Sequence, residues 1–178
     1  MKDIIIETKR LELKSPVNLV SPEELLTTIN YIDTLKYLSS APKNYSIENA
    51  QSFLNYLSKE EKSEKMLELG AFEKSFGIFI GMITLGNINS RDFSCELGYW
   101  ITKPYTGKGL AFEGCTNLIQ FAFDSLKIKR IDAFVIKEHT KSISLLERLG
   151  FKQIELLINN EENDGSLVDR YKYSLNKS

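Results

Sequence analysis

Glu96-Leu97-Gly98-Tyr99-Trp100-Ile101-Thr102-Lys103-Pro104-Tyr105-Thr106-Gly107-Lys108-Gly109-Leu110-Ala111 is the most informative stretch of this chain. Its first part continues a β-type run that starts at Ser94 and ends at Ile101; two glycines separated by one residue follow, and a helix-type segment begins directly after them. Small residues there let the backbone N–H groups of Thr106 to Ala111 converge on one point, and a helix N-terminus adds partial positive charge. Such a loop suits an anion, most naturally a diphosphate. A glycine pair alone equally describes a turn that ends a strand and starts a helix. Two other nucleotide-binding patterns fail on residues. A dinucleotide fingerprint wants a third glycine where Phe112 stands, and a phosphate-binding NTPase loop wants Gly-Lys-Ser or Gly-Lys-Thr, which the chain lacks.

Nearer the N-terminus, Arg10-Leu11-Glu12-Leu13-Lys14 alternates like a strand with one wet face. Ser21-Pro22-Glu23-Glu24 is a helix start with a capping serine and a proline at the first helical position, leading into the stripe Leu25, Leu26, Ile29, Ile32. A second helix from Ser46 carries Ala50, Phe53, Leu54 and Leu57 on one face and ends in the charge run Lys59 to Lys65. Met66–Phe72, Phe76–Leu85 and Ser94–Ile101 read as an antiparallel meander with turns at Glu73-Lys74-Ser75 and Asn87 to Asp92. After the glycine loop come a helix to about Ser125, a strand Arg130–Ile136 and a short helix from Thr140 to Leu149 stopped by Gly150. Strands Phe151–Ile158 and Leu167–Leu175, joined through an Asp164-Gly165 turn, complete the order. No repeat or Pro-rich linker divides the chain, so the expectation is one α+β domain over residues 1–178, built around a mixed sheet.

Composition narrows the function classes. The 178 residues are 42% hydrophobic and 26% charged, enough for one well-filled core. Lys+Arg number 23 against 24 Asp+Glu, for a net charge of -1, so no global positive field exists to hold nucleic acid. The longest apolar run, Phe76–Leu85, is about half of what a bilayer-spanning helix needs. Met1 to Glu7 holds no signal-peptide core, which points to the cytoplasm and away from the membrane. Cys95 and Cys115 lack C-x-x-C spacing and read as reduced, buried thiols. With a single histidine, His139, and no carboxylate cluster, no metal site is expected.

A second segment gives the loop its context: His139-Thr140-Lys141-Ser142-Ile143-Ser144-Leu145-Leu146-Glu147-Arg148-Leu149-Gly150-Phe151. Together the two stretches resemble the GCN5-related N-acetyltransferase (GNAT) superfamily, whose cofactor loop is written [QR]-x-x-G-x-[GA] and whose last helix commonly reads N-x-x-S-x-x-x-x-E-K-x-G-F. The chain is most similar to the Rim-type branch, which acetylates N-terminal amines of ribosomal proteins. Thr8-Lys9-Arg10-Leu11-Glu12-Leu13 matches its opening T-x-R-L-x-L, Glu96-Leu97-Gly98-Tyr99-Trp100 matches its E-x-G-Y-W, and Asp169-Arg170-Tyr171-Lys172-Tyr173 its closing strand. The matches fall in order along essentially the whole chain.

The resemblance implies a mixed, mostly antiparallel sheet that splays at the Tyr99-Trp100-Ile101 strand, flanked by helices on both faces, with acetyl-CoA in the gap. A pantetheine arm that hydrogen-bonds like an extra strand would satisfy main-chain groups left unpaired there. It also implies that a backbone N–H of Trp100 or Ile101 polarises the thioester. The diphosphate would be held by Thr106, Gly107, Lys108, Gly109, Leu110 and Ala111, with His139 standing where the family usually has a cofactor-side asparagine. Pro104 replaces the Gln or Arg of the loop's first position, which leaves that contact to the backbone.

Acyl transfer to an amine needs the neutral nucleophile, whereas a lysine has a reference pKa of about 10.4 and an α-amine about 8. Glu96 is the carboxylate best placed to take the proton, on the strand face shared with Gly98 and Trp100; an ordinary strand ion pair is its plain alternative, and Glu155 is the runner-up. For the departing thiolate, the tyrosine many members carry is Leu146 here, and the resemblance points instead to Ser142, which could equally bond the backbone of its first helical turn. Tyr31, Tyr37 and Tyr45 are a candidate acceptor wall, with packing as the plainer role, and Glu161-Glu162-Asn163-Asp164 reads first as a solvated turn. The resulting expectation is an N-acetyltransferase acting on a primary amine, a peptide N-terminus or a small molecule, through a ternary complex, as monomer or homodimer. A covalent intermediate on Cys115 is disfavoured, since no base neighbours it in sequence. The alternative is a catalytically silent acyl-CoA-binding sensor or scaffold.

Overall fold

The alternating segment Leu11-Glu12-Leu13-Lys14 forms a strand whose two leucines are fully buried, and it is second in an eight-stranded sheet. The computed structural model describes residues 4–31, 35, 37–38, 41–42, 44–60, 64–161 and 166–177. Along these run β1 (Ile6–Glu7), β2 (Leu11–Lys14), α1 (Pro22–Ile29), α2 (Ile47–Glu60), β3 (Leu67–Glu73), β4 (Ile78–Asn89) and β5 (Ser94–Ile101). Then follow α3 (Leu110–Asp124), β6 (Arg130–Ile136), α4 (Thr140–Arg148), β7 (Lys152–Glu161) and β8 (Leu167–Asn176). The strand order is β1-β2-β3-β4-β5-β6-β8-β7, and every neighbouring pair is antiparallel except β5–β6. Parallel partners cannot be joined by a hairpin, and α3 is the crossover between them.

Helices cover both faces, as the resemblance implies. On one, Leu25 of α1 and Ala50 and Leu57 of α2 pack with Phe72, Phe79 and Met82. On the other, Leu110, Cys115, Leu118 and Ala122 of α3 and Leu146 of α4 pack with Leu11, Leu13, Ile83, Leu97 and Ile131. The α1 cap forms as read: Ser21 Oγ accepts the Glu24 N–H at 3.1 Å. Buried α3 residues recur at three and four, the period that turns one helix stripe to a sheet.

Four segments differ from the sequence reading, β7 among them, which runs past Ile158 to Glu161. Ile6–Glu7 adds a short strand, and Arg10 lies in the bend before β2 instead of within it. The second meander strand starts at Ile78, because Gly77 closes a turn onto the Glu73 carbonyl at 2.8 Å and leaves Phe76 81% exposed. It also runs past Leu85 to Asn89, since an irregularity between Gly86 and Asn89 takes up residues that would have formed the turn. Ile32 and the Asp164-Gly165 turn lie outside the described residues.

A bulge in β4 sets which of its side chains reach which helix layer. Ala71 pairs with Gly81 but Phe72 pairs with Phe79, so Ile80 is an extra residue in β4 and the strand changes faces. Phe79 and Met82 thereby meet α1 and α2, while Ile80 and Ile83 meet the α3 side. Gly81 then sits at φ +150°, and a Cβ on it would stand 2.1 Å from the Trp100 carbonyl oxygen of β5. Gly81→Ala is expected to cost about 3 kcal/mol in urea unfolding; a loss below about 0.5 kcal/mol would contradict this close approach.

Candidate active site

β5 and β6 pair only at Ser94↔Arg130, Cys95↔Ile131 and Glu96↔Asp132. Beyond that row both strands continue, β5 still bonded to β4 as far as Ile101 and β6 to β8 as far as Ile136, but not to each other. The sheet therefore splits into a V whose inner edges carry main-chain groups without strand partners. A cleft of about 790 Å³ fills the gap, walled by Leu97 to Ile101 on one side and Ala133 to Ile136 on the other.

At the open end, a single 3₁₀ turn over Lys103–Tyr105 carries the chain from β5 to the glycines. Gly107 and Gly109 adopt φ +74° and +78°, a left-handed conformation costly for any residue with a Cβ. Gly109 caps α3, whose first amides have no partner within the helix. Successive amides beside left-handed residues at a helix N-terminus form a concave anion site.

The cleft is cationic although the chain is not. Lys103, Lys141, Arg148 and Arg170 line it, and among the described residues no Asp or Glu does. The Arg148 guanidinium lies 4.8 Å over the Phe112 ring and ties the end of α4 to the start of α3.

Most of the expected site residues meet here. Trp100, Ile101, Thr106, Gly107, Gly109, Leu110, Ala111, His139 and Ser142 all line the cleft. Lys108 does not: its Nζ sits 5.1 Å over the Tyr105 ring. Glu96 is also off the lining, at the last paired row, where its carboxylate accepts the Asn87 Nδ2–H at 2.9 Å. It keeps the strand face of Gly98 and Trp100, toward α1 and α2. Glu155 is exposed on β7, opposite Lys172 of β8. Of the three tyrosines, Tyr37 lines the cleft; Tyr45 packs with the α1–α2 cluster, where burial pushes its phenol up to about 12, and Tyr31 is exposed. Cys115 is fully buried in the core, which pushes its thiol well up.

Two contacts escape a reading of the sequence alone. Tyr99 reaches from β5 to α4, its hydroxyl 2.8 Å from Ser142 Oγ and 3.3 Å from the Ser142 carbonyl it donates to; burial pushes this phenol far above its ordinary range. Odd positions of β5 face α3 and α4, so the available signal is the alternation Leu97, Tyr99, Ile101. Tyr37, from the α1–α2 connection, stacks on His139 at 3.7 Å with the rings 5° from parallel. That stack joins the α1–α2 connection to the start of α4.

Known proteins resemble this chain. The acetyltransferase (GNAT) domain pattern matches residues 20–152. The N-acetyltransferase p20 of Bacillus licheniformis is 39% identical over 98 residues, 55% of each chain. The [ribosomal protein uS5]-alanine N-acetyltransferase of Escherichia coli K12 is 32% identical over 104 residues, 58% of this chain and 54% of the relative. The chain thus spans about half the length of the curated relatives it matches. Among solved structures, the microcin C7 self-immunity acetyltransferase MccE, in complex with acetyl-CoA and AMP, superposes with TM-score 0.84 at 26% identity, covering 95% of this chain and 93% of that one.

A further carboxylate, Glu68 of β3, also carries no mark in the sequence. It shares a cross-sheet row with Thr84 and Gly98 on the α1–α2 face, and burial pushes its carboxyl up to about 7. A carboxyl with a higher pKa folded than unfolded stabilises the fold while protonated, below about 4.5, and that contribution is lost as pH rises through 7. Glu68→Gln is therefore expected to raise the melting temperature by several degrees at pH 8, with the gain shrinking toward pH 5. Thermal melts at both pH values check this, and a gain larger at pH 5 would contradict it.

Proposed function

Since this chain belongs to the GNAT acetyltransferase family, we propose that it transfers the acetyl group of acetyl-CoA directly to a primary amine, a peptide N-terminus or a small-molecule amine, in a ternary complex. The observation that carries the reading is the end of β5–β6 pairing at Glu96↔Asp132 on a strand that leads, through one 3₁₀ turn, into a loop with two left-handed glycines. The fit of the cofactor rests on chemistry present in the cleft. Unpaired strand edges suit an amide-bearing pantetheine arm, and the four cations of the lining, Lys103, Lys141, Arg148 and Arg170, suit the cofactor's phosphates. When bound, acetyl-CoA supplies an activated acyl thioester.

The chain's own residues then have separable tasks. Backbone N–H groups of 106–111 hold the diphosphate. An N–H of Trp100 or Ile101 offers a fixed dipole to the thioester carbonyl, a type of contact worth roughly 3 kcal/mol of barrier. With the Tyr99 proton turned from the Ser142 carbonyl to Ser142 Oγ, the Ser142 hydroxyl keeps its own proton to donate toward the departing sulfur. The acceptor approaches from the α1–α2 face, between the Tyr37–His139 stack and Glu96. Glu96 lies off the cleft wall, so it removes the amine proton through water. That water route places no demand on direct contact with the amine.

Release of CoA thiol, measured with N-terminal peptides, polyamines and aminoglycosides, tests the reading. Turnover with at least one amine is expected. Tight acetyl-CoA binding with no turnover on any of them would favour a silent acyl-CoA sensor instead. In the same assay Glu96→Gln is expected to lower kcat about tenfold or more, most strongly at low pH where less of the amine is neutral, with acetyl-CoA affinity near wild type. A pH–rate profile matching wild type would remove Glu96 as the base.

A further inference from the structure

The opening motif Thr8-Lys9-Arg10 has no part in the acetyl-transfer chemistry, yet it reaches the cofactor loop. Arg10 Nη1 donates to the Lys108 carbonyl at 2.9 Å, between the two glycines. The same guanidinium donates from Nε to Glu113 Oε2 at 2.7 Å, in the first turn of α3. Glu113 Oε1 also accepts the Arg10 backbone N–H and the Thr8 hydroxyl, each at 2.6 Å. One side chain thus ties the loop carbonyl and the helix carboxylate to the β1–β2 bend. Partial burial works against the Glu113 charge, but the bonds from Thr8 and Arg10 outweigh it and hold its carboxyl below the usual range.

This arrangement acts on anion binding in two ways. Gly107 and Gly109 line the cleft whereas Arg10 and Lys108 do not, so Arg10 holds the loop from behind. In a trans peptide the carbonyl and the following N–H point in opposite directions, so anchoring the Lys108 carbonyl aims the Gly109 N–H away from Arg10. Two glycines make the loop entropically expensive to order, and an anchor present before binding removes part of that cost. Electrostatically, Glu113 at the helix N-terminus would compete with a bound anion for the same positive end. Occupying its carboxylate with three donors, one of them cationic, removes that competition.

We propose that Arg10 is a positioning residue for the cofactor's diphosphate, locking residues 106–111 into the anion-binding shape through Lys108 and Glu113. The proposal rests on reading this loop as the diphosphate site. It is tested by calorimetric titration of the full chain with CoA and with its two halves, adenosine 3′-phosphate 5′-diphosphate and pantetheine. Arg10→Ala is expected to raise Kd at least tenfold for CoA and for the diphosphate half, and less than twofold for pantetheine. Equal weakening of both halves would mean a general structural role and overturn the proposal, as would no weakening of either. If Arg10→Ala does not fold, Arg10→Lys keeps the charge but not the fork that spans two acceptors, and a loss of at least threefold confined to CoA and the diphosphate half is expected. An unchanged or equal loss there overturns the proposal too. Should the wild-type chain bind pantetheine but not the diphosphate half, the loop reading itself falls and the Arg10 assignment with it; binding by wild type with no selective loss in the variants removes Arg10 alone.

Discussion

The structure depends on where backbone hydrogen bonding stops. β5 and β6 are partners for three rows and then diverge, although each remains bonded to its other neighbour. Buried main-chain groups are almost always paired, so a strand edge that opens inside a fold implies a partner that is not part of it. Two features of the chain lie beside the opening. The extra residue at Ile80 and the close approach of Gly81 to Trp100 sit in β4 behind β5, and the Tyr99–Ser142 bond joins β5 to α4. The opening is thereby built from the core outward, with tightly packed residues on both sheet faces behind it.

Charge follows the same logic at local scale. A net charge of -1 says nothing about a cleft whose lining holds four cations and, among the described residues, no carboxylate. Acids near it are displaced or engaged: Glu96 is turned to Asn87, Glu113 is bound by Thr8 and Arg10, and Asp132 at the fork is met by Ser174 at 2.7 Å and by Lys172 at 3.2 Å. The phosphates of a coenzyme A would therefore meet positive potential in this region.

Much of this is legible in the sequence, for identifiable reasons. Ser94–Ile101 and Arg130–Ile136 are bounded correctly because turn residues flank apolar runs, and the glycine loop stands out because few other residues adopt its backbone. What does not show is what depends on distant partners. The bulge at Ile80 leaves no mark in an apolar run, so the strand's change of face stays hidden, and the turn closed by Gly77 starts β4 two residues later than the apolar pattern does. Tyr99 looks like one aromatic of a Gly-Tyr-Trp string until α4 brings Ser142 to it. Glu68 in Leu67-Glu68-Leu69 carries no sign that the α1–α2 layer will bury it, and Lys108 looks like a phosphate ligand although its ammonium turns to Tyr105. Local pattern sets the elements; the faces that meet are set by topology.

If the open strand edge is completed by the cofactor, backbone hydrogen exchange along β5 and the loop must respond to acetyl-CoA. The cofactor is predicted to slow exchange of cleft-facing amides within Leu97 to Ile101 and within 106–111, while Ser94 to Glu96, already paired to β6, stay unchanged. Identical exchange across Leu97 to Ile101 with and without acetyl-CoA would contradict the idea that this edge finds its missing partner in the substrate.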